Sequence, residues 1–492
     1  MQLEMSTIFF ILTAVICGIF LLISWKVGGK ASESFSQYAI GGASFGMLLI
    51  FFSQFASIMG VSNFFAHAGN AYEQGVGIFA FILGEQGSKI FFALLLVGLI
   101  GKFTYNTIPE MIDDLIVRDK LTRAMCGVLA SIIMISSVGS QGKAFGDLFE
   151  VFTGFSSVPI VILFSAIFIF YTVTGGVYSV VWTDLFQGIL CLVVGIVFYL
   201  FTFSRVDFSL EVLRTRLAAV GQENLLSFAG MDWWGALNKF ITGFIGVVSF
   251  QAYWQRCFGS KSARTAKRSM FWSGVICLGF VLMTAMTGLV IMTYNQDLNA
   301  NTAMPWFMMN CMPPMMCAAI FALVLCAGMS TADSCLNSSA VLIVNDVIHP
   351  FRRGESDRQM VHMAKIVTVI VGVISCICGI YAQTVLSLLS KAYTIAGVGL
   401  VPLLLIGMFW KEEKGEQQMG KRNSRVTPWG ARCGIVAGLV ASQLPVFASY
   451  SAIAGCLISS VVIVVVSLLT KNVPIEARFA SAGNTHHLSK QA

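Results

Sequence analysis

Long apolar runs recur along almost the whole chain and are separated by short polar segments. A bilayer core takes about 20 apolar residues per helical crossing, and thirteen runs approach that length. The pattern predicts an all-α polytopic membrane protein with about thirteen transmembrane helices. The predicted spans are residues 7–25, 45–68, 76–100, 124–149, 156–174, 180–203, 236–257, 270–293, 313–345, 362–381, 385–409, 430–448 and 452–470.

The composition agrees with this prediction and argues against an ordinary soluble enzyme. Of the 492 residues, 57% are hydrophobic and only 11% are charged, whereas a soluble domain carries about 25% charged residues. The thirteen cysteines are scattered without CxxC or metal-ligand spacing, so we read them as buried thiols. Because the spans leave no room for a soluble catalytic domain, we expect the function to lie within the membrane and not to be enzymatic.

The distribution of Lys and Arg predicts the orientation of the chain. With the N-terminus outside, most of the 31 basic residues fall in internal segments, and an external segment holds only Arg205, Arg214 and Arg216. The positive-inside rule therefore favours an external N-terminus and a cytoplasmic C-terminus. We expect a multi-pass protein of the plasma (cytoplasmic) membrane, the cell inner membrane. Its net charge of +7 reflects topology and does not indicate nucleic-acid binding.

Two predicted spans carry polar residues at depth, where unpaired polar groups are costly. In span 45–68, small and polar residues cluster around Gly60. This suits an unwound helix with free carbonyls for a cation, although a small-residue packing interface explains the composition equally well. In span 313–345, Ser330, Thr331, Asp333 and Ser334 cover about one helical turn. Such oxygen donors suit Na⁺ better than a transition metal, and an intramembrane acid indicates an ion path.

A third unusual segment is a glycine turn followed by an acid. Gly175 and Gly176 precede a span that contains Asp184. Two interpretations remain open at this point. Asp184 either contributes to a site within the membrane, or it is a surface acid favoured by the dipole at a helix start.

The sequence resembles the sodium:solute symporter family over nearly its whole length. Four motifs in the right order and topology carry the resemblance: Gly175 to Gln187, Gln255-Arg256 with Lys261-Ser262 and a basic helix start, Ala327 to Ser334, and Pro402 to Lys411. The resemblance implies a leucine-transporter-type (LeuT-like) fold, in which spans 2–6 and 7–11 form two inverted five-helix repeats.

The same resemblance divides the chain into five parts. Residues 1–44 hold an extra N-terminal span and the first internal loop, and residues 45–203 form the first repeat. Residues 204–235 form an external loop, and residues 236–410 form the second repeat. Residues 411–492 comprise an internal loop, two C-terminal spans and a cytoplasmic tail.

The resemblance also implies ligands for Na⁺ as the coupling ion. A first site would use the carbonyls of Ala56, Met59 and Ala327 and the hydroxyls of Ser330 and Thr331. A second site, present in some members, would use Asp184 and Ser334, with Asp333 standing where many members have a hydroxyl residue. The number of sodium ions therefore stays open. Asp333 could strengthen the second site, accept a proton or pair with a lysine.

Substrate would bind near the break in span 2, facing spans 3, 7 and 11. The candidates by position are Ser62, Asn63, Glu85, Gln86, Gln251, Ser390 and Lys391. Lys143 has an acid one turn away, Asp147, and we expect the two to pair. Lys391 has no such partner, and could snorkel, pair with Asp333 or meet an anionic substrate. We expect the last, and therefore a carboxylate-bearing solute.

Together these features predict a sodium-coupled secondary active symporter that imports a small organic solute by alternating access. Its expected partners are the solute and the lipid bilayer, with no nucleic acid and no obligate protein partner. Two alternatives are a proton-coupled transporter on the same scaffold, using Asp333 or Asp184, and a membrane solute sensor.

Overall fold

The computed structural model describes residues 2–27, 34–97, 105–229, 231–352, 354–411 and 424–470. Some basic residues that orient the chain, including Lys30, Lys102 and Lys414, lie outside these ranges, as do residues 412–423 and 471–492 of the predicted cytoplasmic segments. The described residues form helices joined by short turns, with two isolated β-bridges. The prediction of an all-α protein is confirmed.

The α-helices follow the predicted spans closely. Within the described residues, eight helical segments are long and apolar enough to cross a membrane, and the shorter apolar helices are Thr7–Ile23, Met47–Ser57 and Ser157–Val173. The total of thirteen crossings stays a prediction. The helices are α1 Gln2–Val27, α2 Phe35–Ile40, α3 Met47–Ile58, α4 Val61–Gln74, α5 Phe79–Phe91, α6 Ile108–Ile112, α7 Lys120–Thr153, α8 Ser157–Ser204, α9 Leu210–Ala219, α10 Trp233–Val248, α11 Gln251–Phe258, α12 Ala263–Met292, α13 Ala303–Cys311, α14 Pro314–Leu342, α15 Asp357–Tyr381, α16 Val385–Phe409, α17 Pro428–Gln443 and α18 Ser451–Leu469.

The second predicted span is broken in the middle. Helix α3 ends at Ile58, α4 begins at Val61, and Met59 and Gly60 lie between them without helical continuity. The backbone of Gly60 approaches α14 so closely that a Cβ atom there would collide with the Thr331 hydroxyl. Glycine therefore both permits the break and lets α14 reach it. The unwound helix that the sequence suggested at this position is confirmed.

The seventh predicted span is also broken, and the sequence did not indicate it. We predicted one helix over 236–257, but α10 ends at Val248 and α11 begins at Gln251, with Ser249 and Phe250 between them. No glycine or proline marks this interruption. Every residue of α11 is buried, so tertiary packing holds this short helix. Two inverted repeats around a shared site at the membrane midplane would each begin with a broken helix, as spans 2 and 7 do. The repeat itself stays a prediction.

The predicted glycine turn between the fifth and sixth spans lies inside α8. Gly176 has φ 55° and ψ −170°, whereas the residues on both sides are helical. A positive φ of this kind favours glycine, which lacks a Cβ atom. The turn separates the two predicted spans, 156–174 and 180–203, and Asp184 lies about two helical turns beyond Gly176.

Small residues allow the helices to approach closely. Such packing matters in a membrane, because the apolar lipid removes the hydrophobic effect as a driving force for helix association. Gly84 of α5 lies against the backbone of α10, and a Cβ atom there would collide with the carbonyl oxygen of Phe240. On the same helix, Gly87 has no atom within 4 Å of the corresponding position. Gly84 is therefore tightly packed and Gly87 faces open space, so a substitution at Gly87 can serve as the control for one at Gly84.

We predict that Gly84→Ala lowers the free energy of unfolding by about 1–3 kcal/mol, because the added methyl group forces α5 and α10 apart. Gly87→Ala, the control, should leave stability unchanged or slightly raised, since alanine favours a helix over glycine. Thermal unfolding of the purified protein in detergent measures both. Equal melting temperatures for the two variants would contradict the close α5–α10 contact.

Candidate cation and substrate sites

The five predicted ligands of the first sodium site lie on two helices that contact each other, at the end of α3 and on α14. Ala56 and Met59 lie at the end of α3, where helix carbonyls lack partners in the next turn. Ala327, Ser330 and Thr331 lie opposite on α14, and all five residues are buried. The Thr331 hydroxyl joins the two helices, because Oγ1 lies 3.0 Å from the Ser57 carbonyl oxygen and 2.9 Å from that of Ala327.

This set of donors fits a small, hard, monovalent cation. Carbonyl and hydroxyl oxygens from a broken helix are the groups that coordinate Na⁺ in transporters of this architecture. Nitrogen or sulfur donors, which would favour a transition metal, are not among the five. When bound, Na⁺ would supply the positive charge that links the end of α3 to α14.

Asp184, expected in a second site or as a surface acid, is fully buried within α8. Its Oδ2 lies 3.1 Å from Nη2 of Arg256 and also accepts a hydrogen bond from the Ser53 hydroxyl. Its Oδ1 accepts a hydrogen bond from the Ser330 hydroxyl at 2.5 Å. Because both oxygens are engaged deep in the protein, Asp184 is not a helix-start acid at the membrane surface.

Arg256 on α11 is only 1% exposed, and the sequence did not place it among the candidate site residues. Its guanidinium contacts Asp184 of α8 and Ser334 of α14. It donates from Nε to Ser53 Oγ at 2.7 Å and from Nη2 to Ser57 Oγ at 3.0 Å. The Gln255-Arg256 motif was the signal that could have revealed this role.

Asp333 completes the buried cluster. It is fully buried on α14, and its Oδ1 lies 3.4 Å from the Ser334 hydroxyl. With both carboxylates ionised, Asp184, Asp333 and Arg256 together carry one net negative charge. An uncompensated charge is costly in a low-dielectric interior. An ionised Asp333 would therefore need one additional monovalent cation nearby, whereas a protonated Asp333 would not. Ser330, a predicted ligand of the first sodium site, bonds Asp184 directly.

Two substrate candidates, Glu85 and Gln86, lie together in a second buried polar cluster. Glu85 Oε2 lies 3.2 Å from His67 Nε2 of α4 and 3.0 Å from Gln86 Nε2. Glu85 Oε1 accepts a hydrogen bond from the Tyr393 hydroxyl of α16 at 3.3 Å. Helices α4, α5 and α16 thus meet at one carboxylate, on the α4 side of the break in the second span.

Lys89 extends this cluster by one turn of α5. Its Nζ donates to Gln86 Oε1 at 2.6 Å and lies 4.8 Å from the ring centroid of Tyr253 on α11. The sequence did not single out His67, Lys89 or Tyr393 for this role. For Tyr393, the sequence offered one indication of this role: it follows the substrate candidate Ser390 by about one turn of α16.

Two further substrate candidates, Gln251 and Ser390, make their hydrogen bonds outside this cluster. Gln251 accepts a hydrogen bond from the Ile108 amide at 2.9 Å and donates to the Asn106 carbonyl at 3.1 Å, so its side chain holds the segment that begins α6. Ser390 makes a long bond of 3.4 Å to the Ser387 carbonyl of its own helix. The side chains of Ser62 and Asn63 lie outside the described structure.

The two lysines expected at depth behave differently. Lys143 Nζ lies 2.5 Å from Asp147 Oδ1, so the predicted pair is confirmed. Lys391 is exposed near the start of α16, and the expectation that it lies buried is wrong. An exposed ammonium group needs no buried counter-charge. The argument from Lys391 for a carboxylate-bearing solute therefore falls, and so does a pair between Lys391 and Asp333, because Lys391 is exposed and Asp333 is fully buried.

Comparisons with known proteins agree on family and fold. The sequence profile of the sodium:solute symporter family matches residues 38–416. The high-affinity proline transporter PutP of Bacillus subtilis is 23% identical over 83% of this chain and 86% of its own length. The osmoregulated proline transporter OpuE of the same organism is 22% identical over 96% of each chain. The uncharacterized symporter YidK of Escherichia coli is 25% identical over 78% of this chain and 71% of its own length.

Solved structures show the same helical architecture. A Na⁺-coupled sialic acid symporter in a substrate-bound outward-open state superposes with a TM-score of 0.77 at 19% identity, covering 94% of this chain and 98% of that protein. Mhp1, a nucleobase-cation-symport-1 family transporter, superposes with a TM-score of 0.55 at 17% identity, covering 92% and 98% of the two chains. At these identities the likeness concerns the fold.

The two lysines generate a direct test. We predict that Lys143→Met lowers the free energy of unfolding by about 1–3 kcal/mol, because it leaves the largely buried Asp147 carboxylate without its partner. Lys391→Met is the matched control and should change stability by less than about 0.5 kcal/mol, as surface substitutions do. Thermal unfolding in detergent compares them. A larger loss for Lys391→Met than for Lys143→Met would contradict the two assignments.

Proposed function

This chain belongs to the sodium:solute symporter family, and we propose from that premise that it imports a small polar organic solute by alternating access, using Na⁺ bound between α3 and α14. It is a membrane transporter rather than an enzyme, and sodium is its coupling ion. The observation that carries the proposed site is the break at Met59 and Gly60, which lies directly against the hydroxyl-bearing turn of α14.

Energetics support this use of one ion. At a membrane potential near −100 mV, each sodium that enters contributes about 2.3 kcal/mol from the voltage alone. That free energy corresponds to an accumulation of about 50-fold. A chemical sodium gradient adds to it.

The buried cluster around Glu85 supports a polar solute that offers hydrogen-bond donors. Glu85 supplies a carboxylate, and Lys89 supplies a positive charge on the next turn of α5. A site with both signs suits a zwitterion or a neutral hydroxylated molecule better than a simple anion, since like charges in a desolvated site repel. Proline, which the names of two relatives give as their substrate, is a zwitterion and falls within this class.

A ligand screen would identify the solute. Purified protein is heated with amino acids, sugars, vitamins and organic acids, in NaCl and in KCl of equal concentration. A ligand that binds the native state raises the melting temperature. We expect a hit that needs sodium. Equal stabilisation in NaCl and KCl by every hit would contradict sodium-coupled binding.

Transport in vesicles then separates the remaining functions. The identified solute should accumulate when a sodium gradient is imposed without a pH gradient. Accumulation driven only by a pH gradient would instead indicate proton coupling through Asp333 or Asp184. Binding without any accumulation would indicate a sensor.

The first sodium site generates a mutational test. We predict that Ser330→Ala and Thr331→Ala each raise the sodium concentration for half-maximal uptake by about 10-fold, because each removes a ligand oxygen worth about 1.4 kcal/mol. Thr287→Ala is the control, since this buried hydroxyl of α12 bonds the Met283 carbonyl at 3.0 Å, away from the site. Unchanged sodium dependence in a folded Ser330→Ala/Thr331→Ala double variant would disprove the assignment.

A further inference from the structure

A groove of about 760 Å³ runs along α17 between α7 and α18. Its wall on α17 extends from Trp429 in the first turn to Leu444 just beyond the helix end, and Met125 of α7 and Ile458 of α18 form the other sides. Trp429 and Leu444 are separated by about 22 Å of helix, which exceeds half of a bilayer core of about 30 Å. The groove is therefore long enough for the acyl chain of a lipid.

The sequence of α17 gives this helix two different faces. Gly430, Gly434 and Gly438 lie against α18, and a Cβ atom at any of the three would collide with that helix. The groove face instead carries bulky apolar side chains, of which Val436 and Val440 are each 51% exposed. Helix α17 therefore uses its small residues to pack on α18 and leaves a bulky apolar face open.

One end of the groove carries a positive charge. Among the described residues that line it, only Arg432 is charged. Its Nε and Nη2 lie 3.0 and 2.6 Å from the two carboxylate oxygens of Asp119, and its guanidinium lies 5.2 Å from the ring centroid of Trp429. Neither bond to Asp119 uses Nη1, which is left to donate to a further acceptor. The Arg432 side chain is 22% exposed, so such an acceptor can reach it.

The segments that adjoin this end add further positive charge. Lys120 follows Asp119, and Arg425 and Lys411 lie on two segments that pair just before α17 begins. All three basic residues are partly exposed. The predicted topology puts the start of α17 at the cytoplasmic surface, where basic pockets between membrane helices bind anionic lipid headgroups.

We propose that this groove binds an anionic phospholipid, with an acyl chain along α17 and the phosphate at Nη1 of Arg432. Trp429, which is 59% exposed, offers its indole N–H at the same depth, as tryptophans at membrane surfaces do. The proposal goes beyond solute transport and does not depend on sodium coupling.

The shape of the face favours a lipid over a second copy of the chain. Helices associate closely in a membrane through small residues, and α17 has already buried its glycines against α18. A flexible acyl chain adapts to the bulky side chains of the groove, whereas a rigid helix surface would lie over them without close contact.

The test compares phosphatidylglycerol with phosphatidylcholine of the same acyl chains, added to delipidated full-length protein and counted by native mass spectrometry. The wild type should bind one phosphatidylglycerol about 5-fold more tightly than phosphatidylcholine, the gain expected from one arginine beside an anionic headgroup. Equal affinities for the two lipids would overturn the proposal.

Two variants break the same ion pair with opposite effects on charge. Arg432→Gln removes the cation and should abolish the preference for phosphatidylglycerol. Asp119→Asn keeps the cation, and asparagine can still cap α7, so the preference should persist or increase. Loss of the preference in both variants, or in neither, would contradict the role of Arg432.

Filling the groove tests the acyl-chain part separately. Ala437→Phe, on the groove wall, should weaken phosphatidylglycerol binding by at least 5-fold. Val461→Phe is the control, because Val461 of α18 is 60% exposed and does not line the groove. Undiminished binding in Ala437→Phe would overturn the proposal, even if Arg432→Gln does not fold. A lipid-free dimer that Ala437→Phe dissociates would also overturn it, and would assign the groove to a second copy of the chain.

Discussion

A charge buried in a membrane protein must be compensated within the protein, and the architecture around Asp184 follows from that constraint. Its carboxylate lies 3.1 Å from the Arg256 guanidinium, with both side chains inaccessible to solvent. Since Asp184 lies on α8 and Arg256 on α11, the pair joins the two predicted repeats. Ser53 of α3 and Ser330 of α14 bond the same carboxylate, which brings the broken helix and the hydroxyl-bearing helix together.

This arrangement would put the proposed ion site and the proposed solute site on opposite sides of one interruption. The end of α3 faces α14 and the charge cluster, whereas α4 carries His67 toward Glu85. A conformational change that moves α4 relative to α3 would therefore affect both sites at once. Broken helices of this kind allow alternating access in secondary transporters. Sodium bound at the proposed site would depend on the contacts that the charge cluster makes among α3, α8, α11 and α14.

Features that depend on local sequence could be predicted well. Hydropathy located the helices, glycine located the breaks at Gly60 and Gly176, and one-turn spacing located the Lys143–Asp147 pair. Features set by packing between distant segments could not. The break at Ser249 has no local marker, and burial of Arg256 or exposure of Lys391 depends on how each helix is placed against its neighbours.

The most direct test of the central claim is an experimental structure of the protein in sodium chloride, at a resolution that shows bound ions. The account predicts density for an ion between the end of α3 and Thr331 of α14. A well-resolved structure in sodium chloride with no ion density at that position would contradict it.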